Sequence, residues 1–371
     1  MEQARPAASG KRGAAASASL LQACALAVAA VAFGLRVYRA GTQSFWYDEG
    51  ISVSLAQRGL LQITHDAAAD IHPPVYYYLL HFWVGLVGDS EFAVRFLSAA
   101  AGVVAACLVF RLGVRLLSPL AGLVAALFVA CAPLLVYYGQ EARMYSLLLA
   151  LTVAWALLWL RVLEADDGRG GGARPWLWAA YVGVGVACVY THYFAFMLLG
   201  VHAIATAIAR ARRPRLLAKW LAAQALVALA FVPWFLNMSF GQLDSFQRGQ
   251  TPLGPVETAL KMFDDFTIGH FAVPDEQARV AFAALLLLGI ASPAVVRPRK
   301  RWGSAYALLY LGLPLAAMLV LNTLRSAYQP RLVLMASPGR FHHHGAGISG
   351  LAGRLRRARS GGGRAPATTI A

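Results

Sequence analysis

The chain has 371 residues, 59% of them hydrophobic and only 13% charged, with a mean hydropathy of +0.57. Soluble domains carry about 25% charged residues, so a soluble core is excluded and the bilayer is the expected solvent. The formal net charge of +16 does not indicate nucleic acid, because the basic residues gather in short connections between apolar runs, as a cytoplasmic loop excess does.

Taken in chain order, residues 1–18 are rich in Ala and Ser, include Arg5, Lys11 and Arg12, and read as a cytoplasmic basic segment before an uncleaved first helix. A transmembrane domain is expected over residues 19–338. Its first span, about 20–38, leads outward to Phe45-Trp46-Tyr47-Asp48-Glu49-Gly50. An external segment follows, in which Ile51–Ile63 and Val75–Val87 are short for a crossing and read as interfacial helices. Further spans are expected at about 92–110, 119–137, 144–163, 176–191, 194–209, 219–236, 278–296 and 303–321, with a weak tenth apolar piece beyond. The fold class is therefore all-α, a polytopic helical membrane protein with nine or ten spans. This arrangement puts the basic clusters at 210–215 and 297–301 on the cytoplasmic side, where the positive-inside rule wants them. The four cysteines lie inside apolar runs and offer neither a disulfide framework nor zinc spacing.

The same topology places four polar-aromatic clusters outside: Trp46–Gly50, His72–Tyr78, Tyr137–Tyr145 and Thr191–Tyr193, with Arg331 near the end. Charged groups beside spans are costly unless they pair or line a wet cavity. A cavity holding Asp48, Glu49, Glu141, His72, His192, Arg143 and Arg331 suits a lipid-linked anionic substrate. Each residue has a competing structural role. Asp48 sits where a helix N-cap would, and Glu49 where a loop support would. His72 precedes Pro73-Pro74, which demands extended backbone. The Tyr76–Tyr78 run reads as an interfacial belt. Asp48, Glu141 and His192 are suitable types for a divalent metal ion, although their spacing is no known metal motif.

The ordered set Trp46-Tyr47-Asp48-Glu49-Gly50, His72-Pro73-Pro74-Val75-Tyr76-Tyr77, Tyr138-Gly139-Gln140-Glu141-Ala142-Arg143-Met144-Tyr145 and Thr191-His192-Tyr193-Phe194 resembles the C-type glycosyltransferase superfamily. The resemblance covers roughly residues 20–335 and is strongest to the polyprenyl-phosphate-sugar-dependent branch, which includes protein mannosyltransferases and lipid A aminoarabinose transferases. It implies an inverting transferase of hexosyl or pentosyl type. The donor would be a polyprenyl-phosphate-linked sugar and the acceptor a glycan, lipid or protein, with no nucleic acid partner. It also implies a site on the outer face of a bacterial plasma membrane. By the same resemblance Asp48 is the base, and Glu49 is a second catalytic residue. Tyr47, His72, Gln140, Glu141, Arg143, Tyr145, His192 and Arg331 are then substrate-binding residues. The resemblance assigns no certain cofactor and leaves a divalent metal ion open, since related enzymes vary in metal use. The alternative class is a transporter or lipid-linked-sugar-binding protein that uses the same cavity without chemistry.

The chain departs from the family's Arg-Tyr-Leu-type motif, since Leu332 follows Arg331 and Tyr328 lies three residues earlier. Beyond Pro338 the apolar sequence gives way to a basic, Gly-rich tail, 339–371, that includes His342-His343-His344. A CAT repeat encodes His in one frame and ATC, Ile, one nucleotide later. A frame shift near residue 338 is the expectation, leaving a disordered or out-of-frame tail and a C-terminally truncated copy.

Overall fold

The computed structural model describes residues 7–70, 72–166, 172–210, 213–238, 253–267, 276–277, 279–280 and 298–324. Every regular element among them is a helix. In chain order these are α1 (Ala7–Val37), α2 (Tyr47–Ala56), α3 (Leu60–Ala69), α4 (Val75–Val87), α5 (Glu91–Leu116), α6 (Pro119–Cys131), α7 (Pro133–Gly139), α8 (Tyr145–Ala165), α9 (Pro175–Val189), α10 (Ala195–Arg210), α11 (Pro214–Asn237), α12 (Pro255–Thr267) and α13 (Pro298–Leu324).

The helix boundaries follow local chemistry. Ser90 caps α5 and Ser118 caps α6, each hydroxyl accepting from the third amide onward, at 3.3 and 3.1 Å. Pro119, Pro133, Pro175 and Pro214 each open a helix, where a missing N–H costs nothing. Gly88 ends α4 at φ +87°, a conformation that glycine adopts freely.

Helices α5 and α8 form the centre of the bundle, and α1, α6, α7 and α9 pack around them. Along α8, Leu148, Trp155 and Trp159 are buried. Trp159 stacks on His202, Tyr306 and Trp302, with ring centroids 5.0, 4.7 and 5.6 Å away. By contrast α1 leaves Leu20, Leu26, Val31 and Phe33 exposed, as a lipid-facing helix does.

The protein is an integral, multi-pass membrane protein, but the span count differs from expectation. Among the described residues, five helices are long and apolar enough to cross a membrane: Ser19–Val37 within α1, α5, α8, α11 and Trp302–Asn322 within α13. A sixth is reached only if α6 and α7, bent by 60° where they meet, count as one. This overturns the nine or ten spans, because α9 has 15 residues and α10 has 16, short of the roughly 20 a crossing needs. Pro133 interrupts the expected span at 119–137. The expected span at 278–296, apart from Arg279 and Val280, and the apolar piece beyond residue 324 lie outside the described residues.

The bend between α6 and α7 has an identifiable support. Buried Arg36 of α1 donates to the carbonyls of Ala130, Val129 and Leu135 at 3.1, 2.8 and 3.3 Å. It thereby supplies a donor to the Val129 carbonyl, whose helical partner would be the N–H that Pro133 lacks. The glycines at 102 and 139 make room for it, since a Cβ at either would lie within 2.8 Å of its side chain.

Candidate active site

The first loop folds into α2, α3 and α4 and brings its acids against α5 and the turn between α7 and α8. Trp46 is the N-cap residue of α2, so Asp48 lies within the first turn and the competing N-cap role does not apply. The two neighbouring acids have separate surroundings.

Glu49 is 1% exposed. Its Oε1 accepts from Arg95 Nε at 2.8 Å and from the Ala142 amide at 2.9 Å. Its Oε2 accepts from Arg95 Nη2 at 2.6 Å and from the Trp46 amide at 3.3 Å. Arg95 also donates to the carbonyls of Ala40, Gln43 and Ser44. One buried ion pair therefore ties the first loop, α5 and the 140–144 turn together. Sequence reasoning missed Arg95, and the signal was present: an Arg placed early in an apolar span is a functional hint by default.

Asp48 faces the other way. Its Oδ2 lies 3.9 Å from Arg143 Nη2. Arg143 is 2% exposed, reaches Ser52 Oγ at 3.4 Å and His72 Nε2 at 3.3 Å, and lies over the Tyr145 ring at 5.9 Å. Burial lowers the Arg143 pKa, but Tyr77, Tyr145 and Asp48 outweigh it and hold the guanidinium above its ordinary value. The Arg143 backbone is fixed as well: its carbonyl accepts from Ser98 Oγ at 3.0 Å, and Ser98 is bonded to Tyr76 OH at 3.0 Å.

The His72 tautomer follows from its partners. A guanidinium only donates, so His72 Nε2 accepts from Arg143. The proton then sits on Nδ1, which donates to Asp70 Oδ2 at 3.3 Å. Asp70, His72, Arg143 and Asp48 form a continuous polar chain. His192 is buried beside it, 5.9 Å from the His72 ring and 6.2 Å from the Tyr145 ring, with Nδ1 accepting from the Phe194 amide. The bond from the Val75 amide to the Tyr190 carbonyl, 3.1 Å, brings the His72 and His192 segments together.

Glu141 diverges from Arg143. The Arg143 amide donates to the Glu141 carbonyl at 2.8 Å, and this tight turn separates the two side chains. Glu141 lines a cavity of about 260 Å3 with Arg39, Gln43, Glu49, Arg95 and Gln140. Burial pushes its carboxyl up to about 8, opposed by the nearby Tyr137 phenol and by Arg143 and supported by the charges of Glu49 and Asp48. Neither Glu141 oxygen finds a partner of good hydrogen-bond geometry. The Gln140 amide nitrogen is turned away from the cluster and donates to the Leu35 and Tyr38 carbonyls at 2.8 and 3.0 Å.

Tyr47 is exposed, whereas Tyr76 and Tyr77 are fully buried, so that pair is core and not an interfacial belt. Arg331 and His342–His344 lie outside the described residues. No group of three or more His, Cys, Asp or Glu that could hold a metal ion occurs among the described residues. The site therefore brings together Asp48, His72, Arg143, Tyr145 and His192, and sets Glu49, Gln140 and Glu141 on its flank.

The arrangement of helices is shared with two solved membrane proteins. The chain is similar to the oligosaccharyltransferase AglB of Archaeoglobus fulgidus, solved with an inhibitory peptide and a dolichol-phosphate, at 13% identity and a TM-score of 0.55, over 94% of this chain and 53% of that one. It is similar to apo ArnT of Cupriavidus metallidurans at 17% identity and a TM-score of 0.53, over 87% of this chain and 57% of that one. The chain thus spans just over half the length of these structures. No curated protein matches it. Residues 71–236 match the family model described as dolichyl-phosphate-mannose-protein mannosyltransferase. The chain is therefore similar to this family over that stretch and shares the fold of the two solved structures. The matched stretch begins after Asp48 and Glu49, so the case for those two acids is geometric.

Proposed function

We infer that the protein transfers a sugar from a polyprenyl-phosphate donor to a separate acceptor at the outer face of the membrane, with inversion. The observation that carries this reading is the convergence of Asp48 and buried Arg143, 3.9 Å apart, beside His72 and Tyr145. Transfer needs a carboxylate to take the acceptor's proton and a cation to stabilise the departing phosphate. Arg143 supplies a planar guanidinium fixed from several sides, suited to a phosphate.

In the step itself the acceptor oxygen bonds to the anomeric carbon. The carbon–oxygen bond to the phosphate breaks, its electron pair leaves on the phosphate, and the proton passes to Asp48. Direct attack by a separate acceptor inverts the anomeric centre and needs no protein nucleophile. Glu49 serves by fixing the loop that carries Asp48, and His72, held by Asp70, fixes Arg143. Tyr145 and His192 border this centre, and Gln140 and Glu141 brace its flank. Arg331 remains a proposed phosphate contact by resemblance only. Residues 19–338 are taken as the transferase domain.

The test is transfer from a short-chain polyprenyl-phosphate sugar by purified Asp48→Asn. Loss of a general base costs about 10²–10⁴-fold, with donor binding unchanged. Transfer within a few-fold of wild type would remove Asp48 from the chemistry. Wild-type protein that binds donor without ever releasing sugar would indicate a binding protein.

A further inference from the structure

The following rests on the reading of Asp48 and Arg143 as the transfer centre and concerns what is delivered to it. Beside that centre an open groove of about 630 Å3 runs along α2, and its lining includes Phe45, Trp46, Tyr47, Arg58, Asp66 and Asp70. Tyr47, Gly50, Ile51 and Ser54 also border it, at the three- and four-residue spacing of one helix face. Asp48 and Ser52 occupy the neighbouring face, toward Arg143. Asp70 joins the two regions. It lines the groove, and it holds His72, which touches Arg143. The groove therefore adjoins the centre through Asp70 and along α2, where Asp48 lies between the lining residues Tyr47 and Gly50.

Its lining residues are of two kinds. One is a run of three aromatic residues, of which Tyr47 is 79% exposed although it adjoins Asp48. The other is two carboxylates, and each already has a partner: Arg58 on Asp66 and His72 on Asp70. Ionised carboxylates only accept, so an occupant must bring donors. Because Arg58 neutralises Asp66 and Asp70 is engaged by His72, the lining does not call for a cation. An aromatic face favours an apolar C–H surface. A sugar ring combines that surface with a rim of hydroxyl donors.

We propose that this groove is the acceptor site and that the acceptor is a carbohydrate. Its ring lies on Trp46 and Tyr47, its hydroxyls bond to Asp66 and Asp70, and one hydroxyl reaches Asp48.

The experiment is saturation-transfer NMR on the full chain in detergent. The probes are the methyl glycosides of glucose, mannose, galactose and N-acetylglucosamine, with binding of a short-chain polyprenyl phosphate measured in parallel. At least one glycoside is expected to receive saturation. Tyr47→Ala and Asp66→Asn should each reduce that signal severalfold, Tyr47→Phe should retain it, and polyprenyl-phosphate binding should be unchanged in all three. Absence of saturation for every glycoside overturns the proposal. So does a signal that none of the variants alters. A lowered unfolding midpoint of Tyr47→Ala with saturation intact would make Tyr47 an interface anchor and overturns it too. So does saturation of a Ser/Thr-containing peptide, and of no glycoside, that Tyr47→Ala abolishes, because the acceptor would then be protein. Glycoside binding lost in the variants, with no polyprenyl-phosphate binding even in wild type, would support the groove and defeat the donor reading instead.

Discussion

Asp48 and Glu49 are adjacent acids with opposite circumstances. Glu49 and Arg95 are both buried and bound to each other, so removing either leaves an uncompensated charge, at a cost of about 3–5 kcal/mol. Glu49→Ala is expected to lower the unfolding midpoint sharply in detergent, and an unchanged midpoint would separate Glu49 from the loop's stability. Glu141 offers a second measurement. Its carboxyl is raised from 4.5 to about 8, so the folded state binds more protons than the unfolded state between those values. Stability from this group is complete below about pH 4.5 and is lost as pH rises through about 8. Glu141→Gln should flatten that part of the curve of midpoint against pH. A wild-type curve that does not fall over this window would show that the carboxyl is not held protonated.

At the scale of elements, close helix contacts depend on glycine. A Cβ on Gly113 of α5 would lie 2.6 Å from the Gly122 Cα of α6, and one on Gly122 would lie 2.6 Å from the Phe110 carbonyl oxygen. Small residues allow such backbone approach between membrane helices. Gly113→Ala should force α5 and α6 apart and cost about 1–3 kcal/mol, the usual range for overpacking. Gly183→Ala, with nothing within 4 Å of the new Cβ, is the control and should not destabilise. Equal midpoints for the two variants would show that the α5–α6 contact tolerates separation. The expected helix over Ile51–Ile63 is divided between α2 and α3, with Gly59 at the α3 N-cap. Hydrophobic spacing does not reveal such a break when both halves remain apolar.

For the molecule as a whole, two polar groups mark opposite ends of α5. Arg95 holds the site, and twenty residues later Arg115 pairs with Glu164 of α8 at 2.9 Å. Twenty helical residues span about 30 Å, the thickness of the hydrocarbon core. On a background without the native cysteines, Gln43→Cys should label from outside intact cells and Glu164→Cys only after permeabilisation. Labelling of both from one side would break the proposed topology together with the outward-facing site.

Composition and motif order were enough to establish a helical membrane protein and its superfamily resemblance, because apolar content and short motifs are local properties of a chain. They also marked Asp48, His72, Arg143 and His192, whose side chains meet in one cluster or beside it. Span count was a different matter. Hydropathy reads α9 and α10 as crossings, but it registers neither where a helix stops nor the bend at Pro133. The separate positions of Asp48 and Glu49, the Arg95 partner 46 positions from Glu49, and the Asp70–His72–Arg143 chain were decided by tertiary structure alone. Each requires segments distant in sequence to pack against one another, and a buried charge takes whichever partner that packing brings within hydrogen-bond reach.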